Sequence, residues 1–341
     1  MKAVRVHGPG DLRVDEIAAP EAGPKDIIVR PEVVGICGSD LIYTAHGGVS
    51  SLASEPFGLG HELAGVIDFV GAEVQGLKPG ARVVINPMGD GNAIGNGADE
   101  GAFAPRLLVR NATADNSVLA LPDGVSFEDG ALVEPLAVGM HACNRAALKP
   151  GDKIAVFGAG PIGLAILAVL RSRGFDDIAM VDMSDFRLDL ARTLGAAHLI
   201  NPKNGNVAQA LGAAHGAGEV FGLPVVKTNV FFEVTASAAV VSQIVEMAPF
   251  HAHLIVVAVH HDVVPVNLLT ALSRELVITT SMAYTDEFQT VIDDLKSGKL
   301  KPQAMVTHRF GLDDFPNAFS IASDKNGAGK VLIVVGDQAS Q

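Results

Sequence analysis

The sequence predicts an α/β fold with two parts: a parallel sheet flanked by helices in the middle of the chain, and a β-barrel-like domain made from its two ends. Residues 153–182 read as a strand, a glycine turn, a helix and a second strand. Residues 1–85 instead contain short β-prone runs separated by glycine, proline and acidic turns. β-prone runs return at 331–335. The β-rich domain is therefore expected to be discontinuous in sequence.

Composition excludes several classes of function. The 341 residues suffice for one large or two medium domains, at roughly 100–200 residues each. A net charge of −13 argues against nucleic acid or an anionic membrane as the main partner. No signal-peptide-like segment opens the chain, and its longest apolar stretch is broken by a glycine turn rather than being a membrane span. Only Cys37 and Cys143 are present, so we expect no disulfide framework and a cytoplasmic location.

The β-rich first part carries residues that are able to bind a metal and move protons. They occur in three short segments: Gly35-Ile-Cys37-Gly-Ser39-Asp40, Gly60-His61-Glu62 and Val133-Glu134-Pro135. Thiolate, imidazole and carboxylate are zinc ligands, and a catalytic zinc site takes three of them and leaves one position open. Cys37 and His61, with Glu62 or Glu134, would supply such a set. Spacing alone does not separate this site from a buried thiol near a surface histidine and glutamate.

Two neighbouring residues have chemical roles if the zinc site exists. Asp40 would orient His61 by accepting its other ring N–H, as carboxylates commonly do for histidines that bind metals. Ser39 would lie beside the metal, where its hydroxyl would take a proton from a bound alcohol.

The central unit has the order expected of a dinucleotide site. Gly158, Gly160 and Gly163 follow a strand and open a helix, and Asp182 ends the next strand 19 residues beyond Gly163. These glycines would permit a tight turn, the approach of a pyrophosphate, and close packing of helix on strand. Asp182 would accept hydrogen bonds from the adenosine ribose and repel a 2′-phosphate, which favours NAD over NADP. The alternative is a βαβ unit with an incidental glycine turn.

The remaining chain extends both parts. Runs at 230–233, 254–259 and 276–279 predict further parallel strands. Residues 212–224 are predicted to form an exposed loop. A helix with an apolar stripe starting at Phe288 then leads back to β-prone runs.

Together these segments resemble the zinc-dependent medium-chain dehydrogenase/reductase superfamily, and its branch of sorbitol and idonate dehydrogenases is the most similar in style. Matches run in order along nearly the whole chain: Ile36–Asp40, Gly60–Glu62, Glu134–Leu136, Gly158–Gly163, Thr307–Phe310 and Gly329–Val331. The resemblance implies a GroES-like β-barrel catalytic domain at 1–136, an NAD-binding Rossmann domain at 137–282 and a return segment of the catalytic domain at 283–341.

The resemblance also implies one catalytic zinc ion and NAD as cofactors. The zinc would lie on Cys37, His61 and a carboxylate, with Glu62 and Glu134 as the two candidates, directly or through water.

Catalytic and cofactor-binding positions follow from the same match. Ser39 would relay the substrate proton, with Asp40 beside it, and Tyr43 would line the substrate pocket. The implied cofactor-binding residues are Gly158, Gly160, Pro161, Ile162, Gly163, Asp182, Met183, Arg187, Ala258, Ser281 and Ala283.

Two departures from the family pattern matter. Residues 86–100 contain no cysteine, so the four-cysteine structural zinc site of many members is absent and a glycine-rich loop is expected. Ile42 stands where some relatives have a histidine. Proton exit would therefore use another group, such as a cofactor ribose hydroxyl or His46.

The sequence thus predicts an enzyme that transfers hydride between a secondary alcohol (a polyol, sugar acid or related hydroxylated metabolite) and NAD. The alternatives are a zinc-free quinone or enone reductase of the same fold and a catalytically retired NAD-binding protein. A homodimer or homotetramer is expected, with a small-molecule alcohol as substrate and no nucleic-acid or membrane partner.

Overall fold

The computed structural model describes residues 1–324 and 326–336, and its first part consists mainly of short strands. These elements are β1 (Lys2–Gly8), β2 (Asp11–Glu16), β3 (Ile27–Gly35), α1 (Gly38–His46), β4 (Phe57–Gly58), β5 (Glu62–Val70), β6 (Arg82–Ile85), β7 (Leu107–Val109) and β8 (Val118–Ala120). A three-stranded sheet has the order β2-β1-β4, and β3, β5, β6 and β8 form consecutive strands of a larger sheet. All pairings among these strands are antiparallel.

The middle of the chain alternates strands and helices. Its elements are α2 (Phe127–Ala131), α3 (Val133–Arg145), β9 (Ile154–Phe157), α4 (Pro161–Ser172), β10 (Ile178–Val181), α5 (Asp185–Thr193), β11 (His198–Ile200), α6 (Val207–His215), β12 (Ala217–Val220), β13 (Leu223–Val226), β14 (Val230–Glu233), α7 (Ala238–Met247), β15 (His253–Val256), α8 (Leu268–Ser273), β16 (Val277–Thr280) and α9 (Glu287–Lys296). Six of the strands form a parallel sheet of order β11-β10-β9-β14-β15-β16.

This strand order is that of a doubly wound dinucleotide-binding sheet, in which ligands lie at the carboxyl ends of the strands, near the point where the order reverses. Here the reversal falls between β9 and β14. All four residues of β9 are buried, as are eight consecutive residues of α4, Gly163–Leu170. A helix that is apolar on every face is expected where both sides are covered.

The last part of the chain first packs against the central sheet's helices and then leaves them. Phe288, Val291 and Ile292 of α9 enter the same apolar core as α3 and α4. The chain continues as β17 (Val306–Gly311), α10 (Phe315–Ser323) and β18 (Lys330–Val334). Strand β18 pairs with β3, which completes a seven-stranded sheet of order β17-β18-β3-β5-β6-β8 with β7 paired to β3. Both ends of the chain therefore build one sheet.

One local prediction is wrong. Residues 212–224 are not an exposed loop, because they contain the end of α6 and most of a hairpin formed by β12 and β13. The hairpin turn consists of Phe221 and Gly222, both at positive φ (50° and 77°), which matches the right-handed twist of a tight hairpin. The sequence signal was weak because Phe221 is not a typical residue for such a turn.

The cysteine-free segment is folded onto the β-rich part. Residues 89–91 form a single 3₁₀ turn, and Ile94 is fully buried. The Asn92 side chain donates to the carbonyl oxygen of Arg110 and accepts from its N–H, so the segment is held by backbone contacts rather than by thiolates. Among the described residues, no helix is both long and apolar enough to cross a membrane.

Candidate active site

Two turns of the β-rich part meet around the carboxylate of Asp40. Cys37 is the N-cap of α1, and Asp40 in the first turn accepts a hydrogen bond from the Cys37 N–H at 2.9 Å. Its other oxygen accepts from the Gly60 N–H at 3.3 Å. Asp40 is fully buried, so both contacts hold the backbone rather than a solvent-facing group. This carboxylate fixes the turn before α1 to the turn before β5.

The predicted hydrogen bond between Asp40 and His61 is not formed, although the two side chains are in contact. Asp40 Oδ1 and His61 Nδ1 are 3.6 Å apart, which is too long for a hydrogen bond. His61 Nδ1 has no hydrogen-bond partner among the described residues. The carboxylate is aligned on two backbone N–H groups instead, so its contribution here is to position the turns.

Pairing of β3 with β5 brings the metal-binding side chains together. Glu62, the first residue of β5, lies opposite Gly35, the last residue of β3. A Cβ at Gly35 would lie 2.1 Å from a Glu62 carboxylate oxygen, so only glycine leaves room for that side chain. The Cys37, His61 and Glu62 donor atoms all lie within 4.8 Å of one another. We call these three residues the catalytic cluster.

The structure adds a residue that was not predicted to belong to the site. Lys330, the first residue of β18, donates to both Glu62 carboxylate oxygens at 2.6 Å and to the Ile36 carbonyl oxygen at 3.1 Å. Lys330 and Glu62 are 1% and 0% exposed. Burial acts to lower the pKa of Lys330, but Glu62, Cys37 and Glu134 together outweigh that effect and raise it. Lys330 therefore keeps its charge inside the protein.

Negative groups dominate the surroundings of His61. Burial acts to lower the pKa of His61, yet Asp40 and Cys37 raise it well above its usual value. Burial raises the pKa of Glu134 to about 7, with His61 acting in the opposite direction. Donors that stabilise a proton on His61 would also stabilise a metal cation. The chemistry and spacing of the cluster thus fit zinc.

Glu134 and a second unpredicted residue, Tyr284, lie next to the catalytic cluster. Glu134 lies in the first turn of α3 and is buried, but its carboxylate is outside the group of mutually close donors. Burial and the charge of Glu134 raise the pKa of the Tyr284 phenol. Tyr284 follows β16 by four residues, so the carboxyl end of the central sheet reaches this cluster.

Helix α1 carries two hydroxyl groups near the cluster and one member of a histidine pair. Ser39 Oγ is 3.4 Å from His61 Nε2. The Tyr43 hydroxyl donates to Asn96 at 3.2 Å, and burial raises its pKa. At the end of α1, the ring of His46 meets that of His261, with centroids 5.6 Å apart. His261 follows β15, so this contact joins the β-rich part to the carboxyl edge of the central sheet.

The glycine turn has the geometry of a phosphate cradle. Gly158 has a φ of 106°, which side chains rarely adopt. A Cβ at Gly163 would lie 1.8 Å from the Gly158 carbonyl oxygen, so α4 packs directly on the turn. A Cβ built on Gly160 would lie 3.6 Å from the guanidinium of Arg187. Apart from its chain neighbours and the backbone of α4, it would meet no other described residue within 4 Å. Pro161 and Ile162 begin α4, whose free N–H groups suit a phosphate.

Asp182 lies next to this turn. Its carboxylate oxygens accept from the N–H groups of Ala159 at 2.7 Å and Ser184 at 2.8 Å. The Arg187 side chain donates to the Ala328 carbonyl oxygen at 3.0 Å, and burial lowers its pKa. Asp182 and Arg187 therefore face the same space, one with negative and one with positive charge.

The remaining cofactor candidates lie along the carboxyl edge or next to it. Met183 follows Asp182 and is 62% exposed. Ala258 lies just after β15 and donates its N–H to the Glu233 carbonyl oxygen. Ser281 follows β16, and its buried hydroxyl has no partner among the described residues. Ala283 has a φ of 50°. An unpartnered hydroxyl at this edge fits a ligand that would supply the missing hydrogen bond.

Two family models match the two parts of the chain. The description "Alcohol dehydrogenase GroES-like domain" matches residues 23–123, and "Zinc-binding dehydrogenase" matches residues 161–297. Sorbitol dehydrogenase from Homo sapiens is 33% identical over 354 residues, covering 98% of this chain and 96% of the relative.

Solved structures extend the similarity to the three-dimensional fold. The 2R,3R-butanediol dehydrogenase from Bacillus subtilis has a TM-score of 0.85 and 29% identity, covering 98% of this chain and 99% of that one. The L-idonate 5-dehydrogenase from Escherichia coli has a TM-score of 0.84 and 25% identity, covering 98% of both chains. The predicted fold and the predicted resemblance are confirmed. The chain belongs to the zinc-dependent medium-chain dehydrogenase/reductase superfamily, in its branch of sorbitol- and idonate-dehydrogenase-like alcohol and polyol oxidoreductases.

Proposed function

We propose that this alcohol or polyol dehydrogenase uses NAD and a single catalytic zinc ion to oxidise a secondary alcohol of the polyol or sugar-acid class. The main supporting observation is the catalytic cluster, whose three donor atoms lie within 4.8 Å of one another. Their side chains combine one thiol, one imidazole and one carboxylate, a ligand set that zinc accepts. The carboxyl edge of the central sheet adjoins them.

We assign the third protein ligand to Glu62 rather than Glu134. Glu62 belongs to the group of mutually close donors, and Glu134 does not. A carboxylate has about four lone-pair sites, so Glu62 can bind Lys330 and still ligate a metal. Glu134 would then lie beside the ion without ligating it, where it would hold water or a substrate hydroxyl.

Only this site is proposed to bind a zinc ion through thiolate. Residues 86–100, where many family members carry four cysteines, contain none and are held by hydrogen bonds of Asn92. A reducing cytoplasm, our proposed location, would keep the Cys37 thiol available.

The mechanism assigns proton handling to Ser39. When bound, zinc would supply a Lewis acid that makes an alcohol proton more acidic, and NAD would supply the hydride acceptor. The Ser39 hydroxyl lies 3.4 Å from His61 Nε2, next to the catalytic cluster. It would accept the alcohol proton and donate its own toward a cofactor ribose hydroxyl or His46. Tyr43 would orient the remaining substrate hydroxyls through its phenol.

Preference for NAD is proposed to come from Asp182. Its carboxylate lies at the end of β10 beside the glycine turn, where the adenosine ribose would bind. A second negative group, such as a 2′-phosphate, would be repelled there. Arg187 lies nearby and would attract that phosphate, but two backbone N–H groups keep the Asp182 charge fixed in the site.

The two rival functions differ in what the catalytic cluster must do. A zinc-free quinone or enone reductase would not need Cys37, His61 and Glu62 close together. A retired NAD-binding protein would not need the buried Lys330–Glu62 pair to support a ligand carboxylate. Both arrangements are intact here, which favours the zinc-dependent enzyme.

We also propose that the chain works as a homodimer or homotetramer, joined at β16, the last strand of the six-stranded sheet. Leu268, Leu269 and Leu272 of the adjacent α8 are 73%, 75% and 75% exposed, and Ile278 of β16 is 41% exposed. An edge strand beside exposed leucines is suited to pairing with a second copy.

We propose the same domain division as the sequence predicts: a catalytic domain at 1–136, an NAD-binding domain at 137–282 and a return segment of the catalytic domain at 283–341.

One experiment tests the proposed function directly. Purified protein is assayed for NADH formation with polyols, sugar acids and aryl or alkyl secondary alcohols, before and after zinc removal by a chelator. We expect turnover with at least one polyol or sugar acid, loss of turnover with the chelator, and recovery on adding zinc. Full activity in metal-free protein would favour the zinc-free reductase. Zinc-loaded protein without turnover on any alcohol would favour the retired protein.

A further inference from the structure

A second group of metal-binding side chains lies far from the catalytic cluster in the fold. Asp177 immediately precedes β10, His198 begins β11, and His215 ends α6. All three therefore lie at the amino edge of the six-stranded sheet, opposite the carboxyl edge where cofactors bind in such folds. We call them the amino-edge cluster. No residue of it belongs to the proposed reaction.

The spacing of the donor atoms matches a shared metal ion. Asp177 Oδ1 lies 3.0 Å from His198 Nε2 and 3.3 Å from His215 Nε2. The three donors are all within 4.8 Å of one another. Zinc holds nitrogen and oxygen ligands at about 2.0–2.2 Å, so two ligands of one tetrahedral ion lie roughly 3.3–3.6 Å apart. One Asp177 oxygen is thus shared between two imidazoles at nearly that separation.

His215 provides an independent indication that a ligand is needed. Its side chain is 0% exposed, and Nε2 has no hydrogen-bond partner among the described residues although Asp177 Oδ1 is close. A buried polar atom without a partner is costly, and native proteins seldom leave one. The nitrogen points toward Asp177 and His198, where a metal would satisfy it.

The other nitrogen of the same ring is already fixed. His215 Nδ1 is 2.7 Å from the Thr228 hydroxyl, which is completely buried. If Nδ1–H donates to that oxygen, Nε2 is left unprotonated and free to bind a metal. Histidines that bind metals commonly have their second nitrogen oriented in this way. Thr228 thus fixes the ring orientation, and donation from Nδ1–H to its hydroxyl would give the tautomer that a metal site requires.

We propose that Asp177, His198 and His215 bind one divalent transition-metal ion, such as zinc, with a water in the fourth position. Two imidazoles and one carboxylate suit zinc, cobalt or nickel better than magnesium or calcium. The ion would tie the start of β10 and β11 to the end of α6. Because its location is remote from the cofactor edge, it would stabilise the nucleotide-binding sheet rather than take part in hydride transfer.

The affinity of the amino-edge cluster should be lower than that of the catalytic cluster. It has no thiolate, and Asp177 and His198 are 44% and 34% exposed. The Lys153 ammonium donates to the His215 carbonyl oxygen nearby, so a cation would share this corner with a positive charge. A chelator is therefore expected to remove this ion before the one at Cys37.

The test is equilibrium dialysis of the full chain, stripped of metal, against zinc and against cobalt. We expect two ions per chain in the wild type and one in Asp177→Asn and in His198→Ala. The Asp176→Asn variant alters an adjacent exposed carboxylate outside the cluster and should keep two. Because both substituted positions are partly exposed, the variants should fold, which NADH binding and circular dichroism check.

Cobalt spectra separate this proposal from the proposed function. Only the site containing Cys37 can give a sulfur-to-cobalt charge-transfer band, so Asp177→Asn and His198→Ala should keep that band while losing one ion. Cys37→Ser should lose the band and retain one ion. The proposal is overturned if Asp177→Asn and His198→Ala bind as many ions as the wild type, or if Cys37→Ser binds none. A wild type with one ion and no sulfur band would instead contradict the catalytic zinc.

Discussion

The catalytic cluster and the amino-edge cluster have similar donors but very different surroundings. Each combines histidine with a carboxylate. Around Glu62, however, a buried Lys330 supplies a counter-charge, whereas His215 is held by the neutral hydroxyl of Thr228. The catalytic cluster also adjoins the carboxyl edge of the sheet, and the other lies at the amino edge. Donor chemistry alone therefore does not make a reaction centre: the neighbouring charges and the adjacent cofactor edge distinguish the two sites.

The largest expected effect tests whether catalysis depends on the catalytic cluster alone. Cys37→Ser should reduce kcat/KM by at least about a thousandfold, because Lewis-acid stabilisation of several kcal/mol would be lost. Steady-state kinetics and zinc analysis measure the loss. Cys143→Ala is the matched control, since that thiol is buried in α3 and should leave both values unchanged. Equal activity of Cys37→Ser and wild type would show that the catalytic cluster, like the amino-edge cluster, is not needed for the reaction.

A second prediction concerns the buried counter-charge. In metal-free protein, Glu62→Gln should reduce the free energy of unfolding by about 3–5 kcal/mol, because Lys330 is left charged without a partner. The double variant Glu62→Gln/Lys330→Met should recover most of this loss, as seen by denaturant unfolding. At the half-exposed amino-edge cluster, Asp177→Asn should cost less than about 1 kcal/mol without metal. Additive losses for Glu62 and Lys330 would show that the pair is not coupled.

The pH dependence of stability should reflect Glu134, which lies next to the catalytic cluster. The folded-state pKa of Glu134 is about 7, above its ordinary value of 4.5. Its contribution to stability is therefore complete below about pH 4.5 and lost as pH rises through 7. In metal-free protein this loss is on the order of 3 kcal/mol. The free energy of unfolding should therefore be lower at pH 7.5 than at pH 5 in wild type and in the exposed control Glu55→Gln. The same decrease should be missing in Glu134→Gln. Identical pH dependence in Glu134→Gln would contradict the assignment.

Ser39 places a hydroxyl beside the catalytic cluster. At the amino-edge cluster, the Thr228 hydroxyl instead contacts Nδ1 of His215, the ring nitrogen on the far side from Asp177. Ser39→Ala should lower kcat by about a hundredfold, the usual scale for a lost proton-transfer group. Zinc content should not change. Ser39→Thr keeps a hydroxyl and should restore much of the rate. If alanine and threonine variants behave alike, Ser39 does not carry the proton.

The smallest effect concerns cofactor choice at the carboxyl edge of the central sheet. Asp182→Ala should narrow the ratio of NAD to NADP efficiency about tenfold, since roughly 1.4 kcal/mol of electrostatic discrimination is removed. Asp182→Asn removes the charge but keeps one acceptor oxygen, so one of the two backbone N–H groups stays paired. Asp189→Ala, on the exposed face of α5, should leave the ratio as it is. An unchanged ratio in both Asp182 variants would rule out the proposed role.

Sequence patterns predicted the fold and the turns that carry the catalytic cluster, because these depend on local signals. The glycine turn at 158–163 and the residues around Cys37 and His61 are short and self-contained. Lys330 was predicted only as part of a family motif, because its contact with Glu62, 268 residues away in sequence, requires β18 to pair with β3. No local pattern reveals that pairing.

Other parts of the site required three-dimensional geometry. Asp40 was expected to accept a hydrogen bond from His61, but its carboxylate is aligned on two backbone N–H groups, which have no sequence signature. Tyr284 lies after a strand end and reaches Glu134 only because α3 packs beside β16. His198 and His215 are 17 residues apart in sequence, and misassigning 212–224 as a loop hid the end of α6.

Placement of Lys330 on β18 has a consequence for the order in which the molecule is assembled. Strand β3 and Glu62 leave the ribosome early, but β18 follows only after the whole parallel sheet has been synthesised. The nucleotide-binding unit is contiguous and can fold first, while the nascent β-rich segment lacks both its neighbouring strand and the cation for Glu62. Contacts this distant in sequence form slowly. While translation is still short of β18, Glu62 would therefore lack the Lys330 ammonium that neutralises it in the folded protein.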